Sequence, residues 1–87
     1  PVAMIIANLE NGKVYVINNT FTEKFGYNQS DIENRKLYEL DLWVNESERN
    51  EFVKNFQKKT NQNSFEAILR RKDSSHFFAL VSGDVFT

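Results

Sequence analysis

The chain has 87 residues, a net charge of -1 and no cysteine, with 40% hydrophobic and 14% aromatic residues. That length allows one domain, which buries only about two-thirds of its unfolded surface. Acids and bases are interspersed, so there is no polybasic stripe for nucleic acid or an anionic membrane, and the absence of thiols excludes disulfides, thiol nucleophiles and Cys-zinc sites within these residues.

Eight Phe, three Tyr and one Trp give a small core a large buried area per residue. No apolar run approaches 18 residues and no signal peptide is visible, so no membrane span is expected, and a cytoplasmic location is.

In chain order, residues 2–9 (VAMIIANL) are apolar on both faces, as in a strand buried on both sides. Asn11-Gly12 marks a turn, and the β-branched and aromatic KVYVI that follows predicts a second strand over 13–18, closing a hairpin. Thr20 and Glu23 have capping-box spacing and predict a helix over 20–25, with Gly26 as a left-handed C-terminal cap. Ser30 and Glu33 repeat that spacing before a second helix over 31–34, where Asn34 accepts the left-handed conformation.

Residues 37–44 (LYELDLWV) form an extended or single-turn connector that carries large side chains into the core. Asn45 and Glu48 cap a third helix over 46–60, with Phe52, Val53 and Phe56 as its apolar stripe. After a polar loop, strands are predicted over 64–72 and 76–86, joined by a turn at Asp73-Ser74-Ser75, with Gly83 as a bulge. The chain starts at Pro1 and stops straight after an apolar run. The expectation is one domain over 1–87, truncated at its C-terminal end and cut from a multidomain protein.

Gly12, Asn18, Phe21, Phe25, Gly26, Tyr27 and Asp31, in this order, resemble the front half of a PAS domain. LWVNESERNEF and ILRRKDSS resemble later stretches of bacterial PAS modules, so the likeness covers nearly the whole chain. It implies an α+β fold: one antiparallel sheet built from hairpins 2–9/13–18 and 64–72/76–86, with short helices 20–25, 31–34 and 46–60 on one face.

Three departures stand out. Asn34 and Ser74 replace glycines, and Ser74 is expected to change the hairpin turn type. The fifth strand, central in the order second, first, fifth, fourth, third, is missing. Its loss leaves two inner edges that pair directly, gain a strand from a partner chain or stay open.

The resemblance implies a non-catalytic sensory or relay module that regulates an attached output domain, a histidine kinase or a GGDEF/EAL cyclic-dinucleotide enzyme, within a homodimer. The alternative is a purely structural dimerisation module with a filled core. No catalytic triad, phosphate loop or acid pair is present. Asn18, Phe25, Tyr38, Trp43, Phe56, Ile68 and Ser82 are candidates to line a small-molecule pocket, against the simpler reading of Asn18 as a helix cap and of the aromatics as filled core. Whichever of Phe77 and Phe78 points outward is the interface candidate.

Haem-binding members carry a ligating histidine on the long helix. Here 46–60 has none, and the one histidine, His76, lies at a hairpin, so no haem is expected. Asn28-Gln29-Ser30 lacks the cysteine of covalent flavin photosensors. No cofactor or metal is expected.

Overall fold

The computed structural model describes residues 2–57 and 65–83, with residues 56 and 57 described by backbone alone. The elements are β1 (Ile5–Ala7), β2 (Val14–Ile17), α1 (Asn19–Phe25), α2 (Gln29–Ile32), a 3₁₀ turn (Leu37–Leu40), α3 (Glu46–Gln57), β3 (Phe65–Arg70) and β4 (His76–Val81). The α+β class and the element order match the expectation. The ends predicted for the third helix (58–60) and for the last two strands (64 and 84–86) lie outside the described residues.

The expected single sheet is instead two separate antiparallel hairpins, β1–β2 and β3–β4. β1 has only three residues and its register slips between Ile6 and Ala7. Among the described residues, the inner edges of the two hairpins do not pair with each other.

The first connection is not a two-residue turn at Asn11-Gly12. Asn8 organises it: its Oδ1 accepts from the amides of Glu10 and Asn11 (2.8 and 3.1 Å), and its carbonyl accepts from Gly12 N (2.8 Å). Gly12 takes φ 74, a conformation in which a side chain would be strained.

Both short helices start two residues earlier than Thr20 and Ser30 predicted. Asn18 caps α1, and Asn28 caps α2 in a reciprocal box with Asp31. An Asn at the strand exit already aims its oxygen at the first-turn amides, which leaves Thr20 and Ser30 inside the helices. Gly26 closes α1 at φ 85, and Asn34 takes φ 61, both as expected. Ser74 itself adopts φ 73, the glycine-like conformation, so the expected change away from it does not occur. Asp73 stabilises that turn by accepting from Ser75 N and Oγ (2.9 and 2.6 Å).

The core joins both hairpins and the helices: Val14, Phe21, Phe25, Ile32, Leu40, Leu42, Ala67 and Leu69 are buried. Phe21 and Phe25 stack with ring centroids 4.3 Å apart, and Phe77 meets Phe25 edge-on at 5.1 Å. A second aromatic group, Trp43, Phe52 and Phe65, packs at 5.5 to 6.5 Å between α3, β3 and the connector. Offset and edge-to-face rings at such distances add attraction beyond the area they bury.

Candidate functional site

Asn18 sits where β2 hands over to α1, and all its polar atoms are used. Oδ1 accepts from Phe21 N and Met4 N (both 2.9 Å), and Nδ2 donates to Val2 O (2.8 Å). One side chain therefore caps a helix and also pins the segment leading into β1. The geometry is that of a structural cap and leaves no donor or acceptor pointing at an empty space.

The other pocket candidates are not brought to one place. Phe25 is buried in the core against Phe21. Trp43 is half-buried in the second aromatic group. Tyr38 is 69% exposed, because the 3₁₀ turn sends Leu40 inward and Tyr38 outward. Ile68 lies on the outer face of β3, between the buried Ala67 and Leu69. Ser82 is exposed just beyond β4, where the predicted strand continuation and the Gly83 bulge are not found. The side chain of Phe56 lies outside the described residues.

Phe77 and Phe78 are separated by strand alternation. Phe77, Ala79 and Val81 pack on the core, so Phe78 and Leu80 point the other way, 83% and 70% exposed. The outer face of the β3–β4 hairpin thus presents Ile68 and Phe78 directly opposite each other, with Leu80 opposite Glu66. A shallow groove of about 380 Å³ runs there, lined by Glu66, Phe78, Ala79 and Leu80. Phe78 was visible in the sequence as one of a pair. Leu80 was missed, although it shares the phase of Phe78 at a spacing of two.

The turn of this hairpin is fastened to the helices. Arg71 Nε donates to Lys24 O (2.9 Å), and Lys72 N donates to Phe25 O (2.8 Å), satisfying carbonyls at the end of α1. The Arg71 guanidinium also lies 4.3 Å from the centre of the Phe77 ring. Lys72 Nζ pairs with Asp31 Oδ2 at 3.0 Å.

The Asn28 amide, followed by Lys72, holds the Asp31 carboxyl below its ordinary value. Ser75, through its hydroxyl and amide, does the same for Asp73. A depressed folded-state value means stability that is fully present above the unfolded value of about 3.9 and lost as pH falls through the folded one. Unfolding midpoints in urea should therefore fall as pH drops below about 4, and Asp31→Asn should flatten part of that slope. An unchanged slope in Asp31→Asn would remove Asp31 from this account.

Among the described residues no group of His, Cys, Asp and Glu is placed to hold a metal, and no helix is long and apolar enough to cross a membrane.

Two hairpins, three short helices and an outward-facing apolar strand surface define a small α+β module of the sensory type. The family model described as PAS domain matches residues 1–86, and the chain belongs to the PAS family. PAS domains are sensory and signalling modules. No curated protein and no solved structure matches the chain significantly.

Proposed function

We propose that this chain is a non-catalytic relay module that works through the outer face of its β3–β4 hairpin, in a homodimer that regulates an attached output domain. One observation carries the reading: Phe78 and Leu80 stand 83% and 70% exposed on a regular strand whose other side is core. Large apolar side chains grouped on one exposed face mark a contact surface. A stimulus acts by binding two packings of that face unequally, since equal binding shifts nothing. By the sequence resemblance, the output domain is a histidine kinase or a GGDEF/EAL cyclic-dinucleotide enzyme, and the setting is the cytoplasm.

The packing of Trp43 on Phe52 and Phe65 favours a second reading for the same surface, a structural dimerisation module whose aromatic space is filled by its own side chains. In that case no small molecule is needed. Visible absorption and native mass of the purified chain separate the two, because a co-purified molecule of defined mass supports sensing and a bare dimer supports the structural role.

The relay reading is tested by Phe78→Ser in the intact parent protein. Phe78 adds little to the core, so the unfolding free energy should move by less than about 1 kcal/mol. Output activity should lose its dependence on the stimulus. Full regulation with Phe78→Ser in place would sink the proposal.

A further inference from the structure

The four strand edges are treated differently by this sequence. The outer edge of β2 is covered: Val14 N donates to Arg35 O (3.0 Å), Leu37 N donates to Gly12 O (2.7 Å), and the Gln29 carboxamide bridges Ile17 N and Tyr15 O (3.4 and 3.3 Å). The outer edge of β3 is covered too. Arg70 N donates to Leu42 O (2.7 Å), Val44 N donates to Ile68 O (3.2 Å), and Ile68 N donates to the Glu48 carboxylate (3.1 Å).

The far edge of β4 has no such cover among the described residues. Arg71 N donates to Ser75 O at 2.8 Å, which sets the hydrogen-bonding phase of the hairpin. Alternation from that pair, through the observed register, turns the backbone of Phe77, Ala79 and Val81 toward β3 and that of His76, Phe78 and Leu80 away from it. The edge holds no Lys, no Pro and no bulge, the usual devices that keep an open edge from pairing. The groove lined by Glu66, Phe78, Ala79 and Leu80 lies along it.

We propose that this edge pairs antiparallel with the β4 edge of a second copy, so that the two hairpins form one continuous sheet. The proposal rests on the homodimer above and gives it a geometry. A two-fold axis at Phe78 pairs Phe78 with its own counterpart and His76 with the second copy's Leu80. The rows across the sheet then match. The central row is apolar, Ile68 and Phe78 from each copy, as set by the Ile68–Phe78 register. In the flanking rows, Glu66 beside Leu80 lines up with His76 and Arg70 of the second copy, so acid meets base at both ends. Glu66 has no ion-pair partner among the described residues, while Arg70 has Asp41 at 2.8 Å. A parallel arrangement would instead set Glu66 toward Glu66 and Arg70 toward Arg70.

The test is amide hydrogen exchange of the chain across a dilution series, with mass measured on the same samples by sedimentation. The proposal expects the Phe78 and Leu80 amides to exchange roughly tenfold or more slowly in the dimer than in the dilute monomer. A dimer in which these amides keep their monomer rates overturns edge pairing and leaves the dimer intact. A monomer at every concentration, with fast exchange, overturns both. Slow exchange that is independent of concentration in a monomer overturns the second copy as occupant and assigns the edge to the chain's own residues.

Discussion

Phe21→Ala should destabilise the chain by about 3–5 kcal/mol, the largest effect of any single truncation considered. Phe21 is 2% exposed and its ring stacks on Phe25, which in turn carries Phe77 from β4. Removing it opens a cavity where α1 meets the β3–β4 hairpin. The surroundings are ill placed to collapse, because the α1 end is fastened to the hairpin turn by Arg71 and Lys72. A domain of this size has a total stability on the order of 5–10 kcal/mol, so much of the population should unfold at 37 °C. Phe21→Leu should cost much less, under about 2 kcal/mol, since it keeps most of the volume. Urea unfolding of the three proteins measures both. A loss below about 1 kcal/mol for Phe21→Ala would show that this stack is not what joins the helix to the hairpin.

Asn18→Ala should cost about 2–3 kcal/mol, the sum of a helix cap and two further hydrogen bonds. Its oxygen serves Met4 N and Phe21 N, and its amide serves Val2 O. The substitution frees both the start of α1 and the approach to β1. Thr20→Ala is the matched control, because Thr20 has the capping-box sequence spacing but lies inside the helix. It should change stability by less than about 0.5 kcal/mol. Equal losses for Asn18→Ala and Thr20→Ala would overturn the assignment of the cap.

These two residues also show what the sequence makes legible. Element order, helix-ending Gly26 and left-handed Asn34 were readable because local chemistry decides them. Cap positions were not, because Asn18, Asn19 and Thr20 can all cap, and only the end of β2 selects among them. The phase of β4 was hidden for a similar reason. Phe77 and Phe78 are chemically identical, and the choice depends on Ala67 and Leu69, which reach the core from β3. Tyr38 follows from 3₁₀ geometry, which the alternating LYELDLWV pattern does not reveal.

The edge-covering roles of Gln29 and Glu48 act across 12 and 20 residues of sequence. No local pattern signals them. The expected single sheet failed on a long-range fact as well, because nothing among the described residues bridges the inner edges of the two hairpins.

The most direct measurement is native mass spectrometry of the chain and of Phe78→Ser at matched concentrations. The account predicts a dimer for the unaltered chain and a monomer for the variant, with both folded. A monomer in both proteins at every concentration, or a dimer indifferent to Phe78, would contradict the claim that this family member signals through the outer face of its β3–β4 hairpin.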